Sequence, residues 1–430
     1  MDEAVLLILA SLKILLIKWG YGIMLTCNKD RMQNKIETFA TFGDAGHGGI
    51  TRFEFSEEAL LARAEFVKRM KAVGAEVVTD DMANMYATIP GTEAGLPRIV
   101  MASHIDSVRN GGNYDGILGV ITAMEVVETI ATEKIPHRHP ITAMIWTNEE
   151  GSLYPPAMMS SGVVCGKFAK ETILTSKSPE GKTFGEALEQ SGYVGDEANR
   201  LNPKDYMAMV ELHIEQGPVL EAENKQIGVV EGVVGMVNYR IRTYGQSDHA
   251  GTTPMPYRRD ALLAAASAIK YLHEELDKLD SNLVYTTGNI LCHPNIHTVI
   301  PDFVDFSIDA RHQNPEVIKQ VVEVIKNMPK EFDKCEVKYE EAWARKTVDF
   351  DEELVNIVQK SADAYGYTSK RMYSGAGHDA QYVIDMMPTT MIFVPSKDGH
   401  SHCEPEFTSI EECWQGINVA LQTVLEIDKK

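Results

Sequence analysis

Three apolar runs, "RIVMASHID" (98–106), "PITAMIW" (140–146) and "DYMAMVELHIEQGP" (205–218), constrain this chain more than any other feature. Each is β-rich and bounded by turn-forming residues, and amphipathic stretches stand between them, which is the alternation expected of α/β architecture. One such stretch, "ILGVITAMEVVETIA", places Ile117, Val120, Ile121, Met124 and Val127 at helical spacing after the glycine-rich loop "NGGNYDG". The apolar runs end in ionisable residues, and in open α/β sheets function collects at the carboxyl ends of the strands.

From about Val237 the pattern changes. "NYRIRTYGQ" and "VDFSIDAR" alternate as half-exposed strands do, "RRDALLAAASAIKYLHEEL" is a helix of good propensity, and "NLVYTTGNIL" and "CEVKYEEAW" complete a strand, helix, strand, strand, helix, strand order. That is the ferredoxin-like split βαβ arrangement. A length of 430 residues favours two domains. The expected organisation is an apolar extension over 1–30, a catalytic domain over 31–236 and 347–430, and a small domain inserted at 237–346.

The chain carries 41 Lys and Arg against 62 Asp and Glu, a formal charge of −21, so its surface repels phosphate backbones and anionic headgroups, and nucleic acid is excluded as a partner. Six scattered cysteines without a CxxC suit a reducing cytoplasm rather than a disulfide framework. Residues 5–25, "VLLILASLKILLIKWGYGIML", are long enough to cross a bilayer but are interrupted by Lys13 and Lys18 and preceded by Asp2 and Glu3, a poor signal peptide. Three readings stay open: a membrane anchor, a start called too early with Met24 or Met32 as the true one, and an ordinary packed helix.

Five stretches bear metal-ligand chemistry: "SHID" (His104, Asp106), "NYDG" (Asp115), "NEEG" (Glu149, Glu150), "ELHIEQ" (His213, Glu215) and "DGHSHCEPE" (His400, His402). Any one of them alone is most often structural. Together they sort into two sets of three, His104, Asp115 and His213, and Asp115, Glu150 and His402, with Asp115 shared and a coordination position left for water, the catalytic pattern. His104 and Asp106 flank Ile105 on one side of an extended chain, so Asp106 is expected to hold the ring from behind. Glu149 and Glu150, as neighbours, cannot both face one metal, which leaves one to address the water. Two divalent ions are implied, and zinc, manganese and cobalt all fit a thiolate-free set of imidazoles and carboxylates.

These stretches resemble the hydantoinase/carbamoylase family of dinuclear metal amidohydrolases, within the zinc exopeptidase and aminoacylase superfamily. "SHIDSVRNGGNYDG", "WTNEEGS", "ELHIEQGPVLE", "HAGTTPMPYRRDAL" and "SGAGHDAQ" stand in the family's order, and the similarity runs from "GGITRFEFS" to "SHCEPEFTS". The resemblance implies a mixed-sheet, di-metal aminopeptidase-like catalytic domain with an inserted ferredoxin-like dimerisation lid. It makes His104, Asp115, Glu150, His213 and His402 the ligands and Glu149 the general base. It assigns His249 to the carbonyl under attack, commonly from the partner subunit of a homodimer, Arg311 to the substrate carboxylate, and Gln216 and His378 to further substrate contacts. Two positions depart from the family: Thr298, where Asn is common beside the carboxylate, and His400, usually apolar. The implied activity is hydrolysis of an N-carbamoyl amino acid, either N-carbamoyl-L-amino acid or N-carbamoyl-β-alanine, to the amino acid, carbon dioxide and ammonia. Allantoate hydrolysis and peptidase or aminoacylase activity are the alternatives.

Overall fold

The computed structural model describes residues 24–430, and the apolar segment from residue 5 lies outside the described residues except for its last two positions. Among the described residues no helix is long and apolar enough to cross a membrane. The chain forms two compact units, one of residues up to Glu231 with Phe350–Lys430, the other of Gly232–Asp349.

In the first unit the elements that position function are helix α1 (Lys29–Ala40), strands β1 (Glu76–Thr79), β2 (Met85–Ile89) and β3 (Arg98–His104), helix α2 (Ile117–Thr132), and strands β4 (Ile141–Trp146), β5 (Tyr206–Ile214) and β6 (Ile227–Val233). Helix α3 (Glu352–Ala364), strand β7 (Thr389–Val394) and helix α4 (Ile410–Ile427) follow after the second unit. The sheet order is β6-β7-β5-β3-β4-β2-β1. Its centre, β7-β5-β3-β4, is parallel, and β6, β2 and β1 pair antiparallel at its flanks. Every residue of β4 and β7 is buried, because helices cover both faces of a parallel sheet. Parallel strands put their carboxyl ends at one edge, so His104, the residues after Trp146 and His213 are delivered there together.

Helix α2 is buried along almost its whole length and carries one carboxylate inside, Glu125. Arg31 Nη2 and Lys35 Nζ from α1 each approach Glu125 to 2.6 Å, and Lys35 also reaches Glu128 at 2.6 Å. A buried charge needs partners, which is why α1 is bound to α2 here. The chain enters α1 through an equally fixed segment: Asn28 caps the helix through Arg31 N, Cys27 N donates to Asn418 at 2.9 Å, and Trp414 Nε1 donates to Cys27 O at 2.8 Å. Residues 27–31 therefore belong to the fold.

The second unit is a six-stranded antiparallel sheet whose long strands run Phe303–His312, Gly235–Tyr244 and Cys335–Arg345 side by side. Helices Ala261–Leu276 and Pro315–Asn327 lay Ala265, Leu272, Val321 and Ile325 on Tyr239, Ile241, Phe306 and Ile308. The stretch expected as one strand, "NLVYTTGNIL", is two short ones, Val284–Thr286 and Ile290–His293, because Thr287, Gly288 and Asn289 interrupt the run.

A chain beginning at Met24 is expected to unfold cooperatively at a denaturant midpoint well above that of one beginning at Met32. Losing the cap costs about 1 kcal/mol, and Glu125 loses one of its two buried cationic partners, Lys35 remaining. Equal midpoints in urea would show that residues 24–31 add nothing.

Candidate metal centre

Five side chains converge at the carboxyl edge of the first unit's sheet. His104 ends β3 and His213 lies in β5, so both rings are set by the register of the parallel pair. His104 Nε2 stands 3.6 Å from Asp115 Oδ1, and His213 Nε2 stands 3.2 Å from the same oxygen. The other oxygen, Oδ2, is 3.2 Å from His402 Nε2, which in turn is 3.5 Å from Glu150 Oε2. Two sets with donor atoms within 4.8 Å of one another result, His104, Asp115 and His213, and Asp115, Glu150 and His402.

Donor separations of 3.2–3.6 Å test whether a metal fits, since ligands bound tetrahedrally at 2.0–2.1 Å from zinc lie about 3.3 Å apart. Glu150 Oε1 supplies a second test: it is buried with no hydrogen-bond donor, a costly state for a carboxylate oxygen that a cation relieves. The electrostatics agree. Burial, then the Asp115 charge, pushes Glu150 up to about 8, and the bond to Asp115, together with Glu150, raises His402 to about 9. Burial disfavours the Asp115 carboxylate, yet His213, His104 and His402 hold its pKa well below the usual range. The ring of carboxylates thus demands positive charge at its centre, and the residues present fit two divalent cations sharing Asp115.

The loop before α2 is shaped around this centre. Gly116 lies at φ +64°, and a Cβ there would come within 2.2 Å of the His104 ring. Behind it stands a residue that the ligand spacing does not reveal, Glu406. One carboxylate oxygen accepts from Tyr114 N and Asp115 N at 2.9 and 3.0 Å, and the other from Ser401 Oγ and His402 N at 3.3 Å each. Glu406 is buried, and a Cβ on Gly112 would strike it at 2.2 Å. The signal available in sequence is an acidic residue four positions after His402.

Asp106 approaches the His104 ring through both its carbonyl and its carboxylate. The nearest acceptor to His104 Nδ1 is the Asp106 carbonyl at 3.0 Å, with the carboxylate at 3.6 Å. That carboxylate also accepts from Glu149 N and Glu150 N, both at 3.1 Å. The two glutamates stand in a sharp turn rather than extended chain, because Asn148 at φ +57° and Gly151 at φ +64° reverse the backbone. Asn148 is held by Glu54 Oε2 at 3.0 Å, and buried Arg63 holds Glu54 at 2.9 Å. Glu149 Oε2 ends 3.7 Å from His104 Nε2. Burial, with Asp379 and Glu150 adding to it and His104 opposing, pushes the Glu149 carboxyl well above its ordinary value.

Of the other sequence candidates, Gln216 joins the centre, its Nε2 donating to Asp115 Oδ2 at 2.7 Å. His378 packs edge-on against the His213 ring, centroids 4.6 Å apart, with Ser374 Oγ 2.8 Å from its Nε2. Glu215 instead caps the short helix after it, through Val219 N and Leu220 N. His400 is exposed and belongs to neither donor set. His249, Thr298 and Arg311 belong to the second unit. There His249 and Val299 form an isolated bridge, Ala250 N donates to Thr298 O at 2.9 Å, and Arg311 Nε donates to Asp309 at 2.8 Å. His249 Nδ1 accepts from Gly251 N and Thr252 N, which leaves Nε2 as the protonated nitrogen of the neutral ring.

The model of peptidase family M20/M25/M40 matches residues 100–426. An N-carbamoyl-L-amino-acid amidohydrolase of Rhizobium meliloti is 35% identical over 402 residues, 93% of this chain and 96% of that protein. An allantoate amidohydrolase of Escherichia coli (strain K12) is 33% identical over 397 residues, 92% of this chain and 97% of that protein. Among solved structures, a hydantoinase/carbamoylase family amidase from Burkholderia multivorans superposes with a TM-score of 0.87 at 38% identity, covering 94% of this chain and 99% of that one.

Replacing Glu406 with Ala is expected to weaken metal binding about 10- to 100-fold, because it frees both the Asp115 and His402 loops. Metal retained after dialysis against a graded chelator series measures this. Retention equal to wild type would mean that the loops hold themselves.

Proposed function

Because the chain belongs to peptidase family M20/M25/M40 and to its hydantoinase/carbamoylase amidases, a group of metal-dependent hydrolases of linear C–N bonds, we propose that it hydrolyses an N-carbamoyl amino acid. The products are the free amino acid, carbon dioxide and ammonia. The observation that carries the reading is the division of the two neighbouring glutamates, Glu150 within a donor set and Glu149 beside it but outside both.

His104, Asp115, Glu150, His213 and His402 would hold two divalent cations, which when bound would acidify water and polarise the carbamoyl oxygen. Zinc suits the donor geometry, and manganese or cobalt suits the donor types equally. Glu149 accepts the water proton: it is buried, close to the ligands, and its raised pKa brings it toward the operating range of a general base. The same carboxyl then returns that proton to the leaving nitrogen, and the carbamate released decomposes.

The second unit completes the reading. His249, with Nε2 as donor, is assigned to the developing oxyanion, and Arg311 to the substrate carboxylate, the bidentate role for which a guanidinium is suited. Thr298 is assigned to the same carboxylate pocket, and Gln216 and His378 to the remaining substrate contacts. A homodimer in which the partner subunit lends His249 is part of the proposal. A cytoplasmic location accords with six cysteines that are all free thiols. Allantoate hydrolysis is a second reading, favoured by relatives of that name at 33% and 34% identity.

Ammonia release from N-carbamoyl-L-amino acids, N-carbamoyl-β-alanine, allantoate and dipeptides, with zinc, manganese or cobalt supplied, decides the substrate. Carbamoyl amino acids are expected to turn over fastest, and preference for dipeptides would overturn the proposal. Glu149→Gln is expected to keep its metal while kcat falls at least about 100-fold, whereas Glu150→Gln loses metal. Appreciable turnover by Glu149→Gln would remove that residue as the base.

A further inference from the structure

At the opposite end of the strands that carry His104 and His213, the first unit has a partly open pocket of about 170 Å³ lined by Tyr86, Arg98, Arg200 and Tyr206 and by the exposed Glu76 and Asp205 among others. At about 30 Å³ per water it holds a small organic molecule rather than one or two solvent molecules, and it is too small for a nucleotide, since ordinary ligand pockets begin near 300 Å³.

The charges in its wall are unevenly committed. Arg200 is neutralised by a bidentate pair with Asp81, Nε and Nη2 each 2.7 Å from a carboxylate oxygen. Arg98 is not: its guanidinium lies 5.2 Å from the Tyr206 ring centroid and hydrogen-bonds that side chain, and among the described residues no carboxylate forms an ion pair with it. The contact with Tyr206 anchors the guanidinium, and the N–H groups it does not use can take a carboxylate. Glu76 and Asp205 line the same cavity, and among the described residues no cation pairs with either. Asp205 accepts only a neutral amide, Asn202 Nδ2, at 2.9 Å.

The backbone is adapted at this point. Arg98 pairs with Tyr206 but Ile99 pairs with Ala208, so Met207 is an extra residue in β5. A bulge re-aims the side chains beside it and interrupts regular pairing, a feature found next to binding sites. Here it lies at Tyr206, the ring under Arg98.

We propose that this cavity is a binding site for a small free amino acid, the ligand carboxylate on Arg98 and its ammonium on Glu76 and Asp205. A simple anion meets the two carboxylates and a simple cation meets Arg98, whereas a zwitterion satisfies both ends. The site lies apart from the metal ligands and needs no turnover, so it stands or falls independently of the proposed reaction.

Calorimetric titration of the metal-loaded protein with glycine, β-alanine and L-leucine tests it, with acetate and methylamine as single-charge probes. The expected result is a saturable amino-acid site weakened at least tenfold by Arg98→Gln and by Glu76→Gln. Both variants are expected to keep wild-type kcat and KM when no amino acid is added. Glu76 is exposed in a short outer strand, so its variant carries the test if Arg98→Gln does not fold. Titrations of the variants that superimpose on wild type, or acetate binding as tightly as the amino acids, would overturn the assignment.

Discussion

Asp115 presents both carboxylate oxygens to imidazoles while its backbone is held from behind, and the geometry around it follows from that constraint. Oδ1 faces His104 and His213, and Oδ2 faces His402. Neither oxygen is spent on the main chain; the amide of Asp115 is fixed by Glu406 instead. Glu406 can do this only because Gly112 admits it, and the turn into α2 can pass the His104 ring only because residue 116 is glycine. The price is a second buried acid beside the first: burial, then the Asp115 charge, lifts Glu406 to about 7. Its four donors offset that burden.

The same edge of the sheet concentrates unusual backbone. Asn148, Gln216 and His402 all have φ between +57° and +59°, a region that costs a non-glycine residue about 1–3 kcal/mol. Each is held by a side chain, Asn148 by Glu54 and Gln216 by Ser396 from distant segments and His402 by Glu406 four residues on. At Asn148 the consequence can be followed through. The reversal after β4 carries Glu149 and Glu150 out of strand geometry, and Asp106 then takes both amides, so adjacent side chains leave the turn in different directions. One reaches the Asp115 and His402 set, the other stands over His104. Division of the two glutamates is thus a property of the turn.

Much of the centre was legible in the sequence because buried strands are visible as apolar runs, and a run ending in His, Asp or Glu leaves few structural uses for that residue. His104 and His213 stand out on that ground, whereas Asp115 and His402 lie in loops and the division of Glu149 from Glu150 came from the family resemblance. The residues that hold the ligands were not legible. Glu406 acts on Asp115 from 291 positions away and Glu54 on Asn148 from 94, and an acidic residue in a loop looks the same whether it is solvated or buried. Asp106 stands two residues past the end of β3, and what the sequence did not show is that its carboxylate, 3.6 Å from the His104 ring, also takes the Glu149 and Glu150 amides. Around the start of α1 the same limit holds: a cap, two hydrogen bonds between Cys27 and the last helix, and the Arg31 guanidinium on Glu125 leave no mark in an apolar run.

Strands β3 and β5 carry residues that matter at both ends: Arg98 and His104 on one, Tyr206 and His213 on the other. A paired, fully buried strand is stiff along its length, so an event at one end reaches the other only through an element with two arrangements. The regular part of the pairing, from Ile99 with Ala208 to Met101 with Val210, offers none, since a slip of one residue would turn every buried side chain to the opposite face. The extra residue at Met207 is where the register can yield without that penalty, and it adjoins Tyr206 rather than His213. Movement there would be absorbed locally, and the rigid remainder of β5 would hold the His213 ring where Asp115 requires it. The sheet therefore separates the two ends of the first unit: variation around Arg98 and Tyr206 is tolerated mechanically, while the ligand end is held by strand pairing, Glu406 and the glycine turn.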